Sequence, residues 1–111
     1  MPNYKIYRIQ EDLKREITNI LNFIKDPRVS RQIITIVKIS LSADMSYAKV
    51  YISSLDGIKG AEKAVKGLES AKGLIKHKIS ERLNLRKIPE LQFFADNSIE
   101  NAMNMFKKIE K

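Results

Sequence analysis

Apolar residues recur at intervals of three and four early in the chain. From Ile9 to Ile24 this spacing places them on one face, which predicts a first helix. The segment Lys25-Asp26-Pro27 should end this helix, because Pro27 disfavours helical geometry at the preceding residue and has no backbone N–H to donate. We expect a loop through Arg31 to follow.

Two segments rich in β-branched and aromatic residues come next. Ile33 to Leu41 and Tyr47 to Ser53 alternate with period two around a short polar loop, which predicts an antiparallel hairpin. On the first strand the residues that share a face are Ile33, Val37, Ile39 and Leu41. On the second strand the predicted inward residues are Ala48, Val50 and Ile52. The residues left on the other side of the sheet are Tyr47, Lys49 and Tyr51.

Helical spacing returns after Gly57 and Gly60 and continues to the segment Ala71-Lys72-Gly73. Because glycine costs about 1 kcal/mol relative to alanine inside a helix, Gly73 predicts a kink or a close approach of backbones. A second apolar stripe beyond the kink predicts another helix, and its residues are Leu74, Ile75, Ile79 and Leu83. Pro89 should close that helix.

The last part of the chain predicts a third strand and a final helix. Leu91 to Ala95 has the composition of a strand, and the segment Asp96-Asn97-Ser98 supplies capping side chains. The apolar residues of the final helix are Ile99, Met103 and Phe106. We take Phe93, Phe94, Met103 and Phe106 as core or helix-docking residues.

These elements predict an α+β fold with the order α-β-β-α-α-β-α. The hairpin pairs the first two strands, and the two helices carry the chain back so that strand three lies parallel beside strand two. The expected sheet is three-stranded and mixed, in order 1-2-3, with the helices packed on one face. We expect residues 1–111 to form a single domain.

The charge composition indicates which class of partner the chain binds. The chain has 21 Lys and Arg residues against 13 Asp and Glu, a net charge of +8, which attracts polyanions. Nucleic acid is therefore the first partner to consider, although a lysine-rich surface also serves solubility alone. The absence of cysteine excludes disulfides, thiolate nucleophiles and Cys-ligated metals and favours the cytoplasm. No segment has the pattern of a signal peptide or membrane anchor, so we expect no membrane partner.

The predicted order of elements is that of a type II KH domain, an RNA-binding module that clamps nucleotides through a GXXG loop between paired helices. Here Ala71-Lys72-Gly73 stands in place of that loop, and with this kink the chain resembles the ribosome-binding factor A family. Four further segments agree with the family: Lys25-Asp26-Pro27-Arg28, Ala48-Lys49-Val50-Tyr51-Ile52, Arg86-Lys87-Ile88-Pro89-Glu90-Leu91 and Phe93-Phe94-Ala95-Asp96-Asn97-Ser98. They extend from the first helix to the last.

The resemblance implies a non-enzymatic assembly factor. It would bind the maturing small ribosomal subunit near the 5′ end of its rRNA, assist late processing, and be needed especially in the cold. We expect a monomer with no cofactor and no small-molecule substrate. Two alternatives remain open: a generic KH-like RNA-binding or chaperone module, and a protein-interaction adaptor whose basic charge is incidental.

The candidate RNA-binding residues lie mainly on the kinked helix pair and the segment after it. They are Lys63, Lys66, Lys72, Gly73, Lys76, Lys78, Arg82, Arg86 and Lys87. Helical spacing puts Lys72 and Lys76 on one line, and the second line comprises Lys78, Arg82 and Arg86; such rows can follow a phosphate backbone, or be only a solvated face. Near Gly73 the start of the second helix offers unpaired N–H groups to a phosphate.

Three smaller groups of residues complete the candidate sites. Arg28 and Arg31, in the loop after helix one, could join the basic patch. Tyr47 and Tyr51 could stack bases, or simply pack. Because His77 is the only histidine and no cysteine is present, we predict neither a catalytic site nor a metal site.

Overall fold

The computed structural model describes residues 4–96 of the chain. Its elements are α1 (Tyr4–Ile20), a 3₁₀ turn (Leu21–Phe23), α2 (Pro27–Ser30), β1 (Ile34–Leu41), β2 (Tyr47–Ser54), α3 (Ile58–Ser70), α4 (Lys72–Arg82) and β3 (Glu90–Ala95). The predicted order of elements up to the third strand is confirmed, with one short helix added. The predicted final helix lies outside the described residues.

Helix α1 begins earlier than its sequence pattern predicted. Ile6 lies three positions before Ile9, and both pack partly against the core, so the apolar stripe extends towards the start of the chain. At the other end Ile24 is extended, with φ −85° and ψ 119°, so the helical conformation ends before Lys25 as predicted. Leu13 is fully buried and fixes the inward face of the helix.

The helical turn α2 stands where the sequence predicted a loop. The Asp26 side chain accepts the backbone N–H of Arg28 at 2.9 Å, which caps the turn. Pro27 occupies the start of the helix, where its missing N–H would have no intrahelical partner in any case. The loop prediction was wrong because the proline that stops α1 is also suited to begin a helix.

A bulge in β1 reverses the alternation that the sequence predicted. β1 pairs with β2 in antiparallel fashion, and the register shifts between Ile36 and Lys38. The buried residues of β1 are Ile36, Ile39 and Leu41. Ile33, predicted on the same face as the last two, is 65% exposed, and Val37 is only partly buried. Their placement was wrong because one extra residue in a strand moves the side chains before it to the other face.

The remaining sheet topology agrees with the prediction. β3 pairs in parallel with β2, with Phe93 opposite Val50, and the strand order is β1-β2-β3. The predicted inward residues of β2 are all fully buried: Ala48, Val50 and Ile52. The sheet and the helices share one core, whose helical members include Leu13, Ile17, Leu68, Ile75 and Ile79. The α+β, KH-like architecture with helices on one face of a mixed sheet is therefore confirmed.

The junction between α3 and α4 lies at Ala71. Its backbone N–H donates to the carbonyl oxygens of Gly67 and Leu68, both at 3.1 Å, and α4 begins at the next residue. The kink is thus where the sequence predicted it. Gly73, however, lies in the first turn of α4, and a Cβ built on it would meet no atom within 4 Å. The alternative of a close backbone approach at Gly73 was wrong.

Helix α4 is shorter than its predicted stripe. Ile75 and Ile79 are fully buried, whereas Leu74 is 42% exposed and does not belong to the inward face. The helix ends at Arg82 because Leu83 is extended, with φ −112° and ψ 132°. Pro89 therefore does not close it; this proline is buried just before β3. None of the helices in residues 4–96 has the length and hydropathy to cross a membrane.

Candidate nucleic-acid interface

The outer side of α3 carries a row of exposed lysines. Lys59, Lys63 and Lys66 are spaced by four and three positions, which places them on one side of the helix. Ala61, Ala64 and Leu68, on the other side, are fully buried. The row is therefore a surface feature fixed by the helix register.

Helix α2 lies beside this row because α3 has a glycine, Gly67, where the two helices meet. A Cβ built on Gly67 would lie 2.7 Å from the Val29 side chain and 3.3 Å from Arg28. A Cβ on Gly60 would meet the side chains of Gln32, Asp56 and Ser54 within 2.9 Å. A larger residue at either position would meet these side chains, so glycine allows the contact of α3 with α2 at Gly67 and with the Gln32 and Ser54 side chains at Gly60.

The contact of α2 with α3 gathers cations around a shallow groove. The groove has a volume of about 290 Å³, and its charged lining residues are Arg28, Arg31, Lys59, Lys63 and Asp56. We name this groove, together with the neighbouring Lys66, the α2–α3 basic surface. It brings together four of the predicted residues, Arg28, Arg31, Lys63 and Lys66, although the first two are far from the others in sequence.

Arg28 is held in place within this surface. Its guanidinium Nη2 lies 2.6 Å from Asp26 Oδ2 and donates to Ser70 Oγ at 3.2 Å, so the side chain reaches from α2 to the end of α3. The side-chain and backbone hydrogen bonds from Arg28 lower the pKa of Asp26 from 3.8 to about 2. At neutral pH the pair is therefore ionised, and part of the Arg28 charge is already balanced.

Gln32 joins the elements that surround the groove. Its Nε2 donates to the carbonyl oxygens of Arg28 at 2.6 Å and of Gly60 at 2.8 Å, and its Oε1 accepts from the Ser54 hydroxyl. One side chain thus bonds α2, α3 and the end of β2 to one another. No sequence pattern marked Gln32 or Ser70, because their roles depend on contacts between distant segments.

The cations of α4 lie on two sides of that helix. Lys72 and Lys76 flank the buried Ile75 and Ile79 on one side, while Lys78 and Arg82 flank them on the other. Arg86, which the sequence placed on the second line, lies beyond the end of α4. That part of the prediction was wrong because the helix ends at Arg82.

Ion pairs change the charge that these side chains present. Lys72 Nζ lies 2.8 Å from Glu69 Oε2 and 3.8 Å from Glu90 Oε1, and Lys76 Nζ lies 3.2 Å from Glu90 Oε2. Lys78 Nζ lies 4.8 Å from the centre of the Phe23 ring, a cation–π contact. The two predicted lysines near β3 are thus partly neutralised, unlike the lysine row of α3, for which no ion pair is found within residues 4–96.

Arg86 and Lys87 belong to a separate part of the surface. They line a groove of about 430 Å³ together with Lys5 of α1 and with Asp44 and Met45 of the β1–β2 turn. The start of α4 near Gly73, predicted to attract a phosphate, follows directly on the end of α3 and has no side-chain cap. The predicted basic residues are thus distributed over several surfaces, of which the α2–α3 basic surface is the most concentrated.

The outer face of the sheet holds an aromatic cluster. Tyr51 stacks on Phe94 with ring centres 5.4 Å apart, and Lys38 Nζ lies 4.9 Å from the centre of the Tyr51 ring. Phe94 is 40% exposed, so its prediction as a core residue was wrong, whereas Phe93 is buried as expected. Alternation along β3, with Leu91 and Phe93 inward, was the signal that Phe94 faces outward.

The acidic residues and the histidine of the described part of the chain do not gather into a metal site. Between residues 4 and 96 no three His, Asp or Glu side chains are placed to hold a metal ion. The exposed His77 makes a contact of 2.6 Å with Glu81, one helical turn away.

Comparisons with known proteins add an independent line of evidence. The family model described as ribosome-binding factor A matches residues 5–109. A protein of that name from Acetivibrio thermocellus is 42% identical over 106 residues, which cover 95% of this chain and 85% of that protein.

Solved structures give the same result for the fold. The solution structure of a Thermotoga maritima protein superposes with a TM-score of 0.76 at 30% identity, covering 90% of this chain and 94% of that one. A model of ribosome binding factor A from Thermus thermophilus, fitted into an electron cryomicroscopy map of its complex with the 30S subunit, has a TM-score of 0.63 and 26% identity. That match covers 77% of this chain and 88% of the other.

Proposed function

The chain belongs to the ribosome-binding factor A family, and from that premise we propose that it binds the small ribosomal subunit and takes part in its assembly. The observation that carries the proposal is the family match over residues 5–109, together with the 30S complex of the Thermus thermophilus relative. A net charge of +8 fits a partner made largely of rRNA.

The finer parts of the proposal come from the family resemblance. We propose that the chain contacts the rRNA near its 5′ end and assists late maturation, with its greatest importance in the cold. It acts as a monomer in the cytoplasm, by binding alone, and uses no cofactor, small-molecule substrate or membrane partner. No step of this role needs covalent chemistry.

The α2–α3 basic surface is the proposed principal contact with rRNA. Its lysines are exposed and point away from the core, so they can meet phosphates without any change in the fold. Arg28 is fixed by Asp26 and Ser70 and can contribute a directed guanidinium group. The cations of α4, together with Arg86 and Lys87, are proposed as secondary contacts, because Glu69 and Glu90 balance Lys72 and Lys76.

Sucrose-gradient sedimentation of the tagged chain with ribosomal particles tests the proposal. We expect the chain to travel with free small subunits and not with large subunits. Lys63→Gln/Lys66→Gln should weaken this binding about tenfold, since each exposed ion pair contributes up to about 1 kcal/mol. The matched control Arg8→Gln/Lys14→Gln removes the same charge from α1 and should retain binding.

Two results would contradict parts of this account. Sedimentation only with large subunits would overturn the proposed role. Equal losses in the α3 and α1 variants would show that net charge, and not the α2–α3 basic surface, drives association. Lys76→Gln should have a smaller effect than Lys63→Gln, because Glu90 already balances Lys76.

A further inference from the structure

The outer face of the sheet carries a row of side chains unlike those of a solvated surface. Lys38 of β1, Tyr51 of β2 and Phe94 of β3 are in register across the three strands. The cation, the phenol ring and the phenyl ring form one continuous stack, with the Tyr51 and Phe94 planes inclined by 26°. The register thus builds an apolar, aromatic strip on the side of the sheet opposite the helices.

A second aromatic position lies along β2. Tyr47 is 52% exposed, and its separation from Tyr51 by four strand residues is about 13 Å. Lys49, also exposed, lies between them on the same face. The face therefore presents two aromatic positions with a cation between them and another cation at the edge.

The charges on this face select the class of partner. The strand residues that point outward include Lys38 and Lys49, and the carboxylate of Glu90, at the start of β3, is occupied by Lys76 at 3.2 Å. Exposed rings favour flat apolar groups, and lysines beside them favour phosphates; unpaired nucleotides combine both. An acidic protein surface would satisfy the lysines and leave the ring faces without flat partners.

We propose that the outer sheet face is a second nucleic-acid site. Unpaired bases of single-stranded RNA stack there on the ring of Tyr47 and on the exposed ring of Phe94, at the end of the Tyr51–Phe94 stack. Lys38 and Lys49 contact the phosphates between the stacked bases. Tyr51 positions the Phe94 ring and is not itself the principal stacking surface. This site is separate from the α2–α3 basic surface and does not rest on the ribosomal role proposed above.

Binding of fluorescently labelled RNA, followed by anisotropy, tests this site. The probe is an unstructured RNA of about ten nucleotides, within the range that small binding folds cover, with a duplex of equal length for comparison. Tyr47→Ala and Phe94→Leu should each weaken single-strand binding at least about fivefold, because stacking on an aromatic side chain is lost. Duplex binding should not change, since paired bases cannot stack on the sheet.

Matched variants separate stacking from charge and from general damage. Tyr47→Phe keeps the ring and should keep the affinity, and Tyr4→Ala removes an exposed tyrosine from α1 without effect. The salt dependence should be unchanged in Tyr47→Ala, whereas Lys49→Gln should make the slope shallower by about 0.7, the value for one phosphate of a single strand.

Nuclear magnetic resonance of the unmodified chain tests the site without any substitution, so the test does not depend on the folding of a variant. Upfield shifts of the Tyr47 and Phe94 ring protons on addition of the single strand are expected from stacking. Ring signals that do not move would overturn the proposal, as would variants that bind the single strand as tightly as the original chain. The two proposals can fail separately. If the original chain binds no small subunits but Tyr47→Ala weakens its binding to the single strand, the sheet-face proposal stands and the ribosomal proposal is refuted.

Discussion

At the scale of single residues, the side chain of Asp26 has two roles. Its carboxylate caps α2 through the backbone N–H of Arg28 and also holds the guanidinium of the same residue. The guanidinium in turn reaches Ser70 at the α3–α4 junction. A single carboxyl group therefore sets both the start of α2 and the direction of a proposed RNA contact.

The ionised Asp26 carboxyl group makes the stability of the fold depend on pH in the acid range. The pKa of Asp26 is lowered to about 2, chiefly by its hydrogen bonds from Arg28, so its contribution is complete above pH 4 and lost as the pH falls towards 2. Urea unfolding followed by circular dichroism should show Asp26→Asn less stable than the original chain at pH 6. The difference should narrow as the pH falls through 2, because the Asp26 carboxyl group of the folded chain then becomes protonated and uncharged like the amide of asparagine.

Asp44 provides a comparison for this experiment. Its pKa is also lowered to about 2, mainly by the backbone N–H of Ser46 and the hydroxyl of Ser42, in the β1–β2 turn. Asp44→Asn should follow the same pH dependence without disturbing Arg28, because the β1–β2 turn is separate from the α2–α3 basic surface. A constant stability difference down to pH 2 for Asp26→Asn would contradict the role given to its charge.

At the scale of elements, glycines decide how α3 packs against the segments beside it. Gly67 lies against Val29, a buried residue of α2, and Gly60 lies against Gln32 and the turn after β2. In α4, by contrast, Gly73 adopts ordinary helical geometry in open space, so it serves no packing purpose there. Replacing glycine by alanine should therefore have opposite effects on the stability of the fold at Gly67 in α3 and at Gly73 in α4.

Alanine substitutions should separate these two kinds of glycine. Gly67→Ala should destabilise the fold by about 1–3 kcal/mol, because the added methyl group would lie 2.7 Å from Val29 Cγ2 and α2 would have to move. Gly73→Ala should stabilise it by up to about 1 kcal/mol through helix propensity. The free energy of unfolding from chemical denaturation measures both; a fully stable Gly67→Ala would show that α2 can shift without cost.

At the scale of the whole molecule, positive charge is spread unevenly. On the α2–α3 basic surface the lysines of α3 have no ion pair among residues 4–96, whereas Arg28 is paired with Asp26. Beside β3 the lysines are paired with Glu69 and Glu90, and Lys78 and Arg86 lie on other surfaces. Long-range attraction depends on the total of +8, whereas close contacts depend on where unpaired cations lie.

Salt should therefore weaken binding to structured RNA in a measurable way. If about four to eight phosphates are neutralised, log affinity should fall against log salt with a slope of about −0.9 or slightly shallower per contact. Titrations at several salt concentrations provide the slope. A flat dependence would favour the adaptor alternative, and equally tight binding to unrelated structured RNA would favour a generic RNA-binding module.

The sequence by itself determined the order of the elements from α1 to β3 apart from α2, the inward face of β2 and the family. These follow from local residue spacing and from short motifs, which are present in each segment independently of the rest of the fold. It also located the kink at Ala71 and the aromatic residues of the outer face, although it assigned Phe94 to the core.

Only the tertiary structure decided where the cations meet and which of them are paired. The bulge between Ile36 and Lys38 exposes Ile33, and Gly67 allows α2 to pack against α3. Glu90 forms ion pairs with the lysines of α4. Each of these depends on contacts between residues distant in sequence, whose geometry no local pattern encodes. Periodicity predicts which face of a regular helix or strand is buried, but packing of the elements decides which charges share a surface.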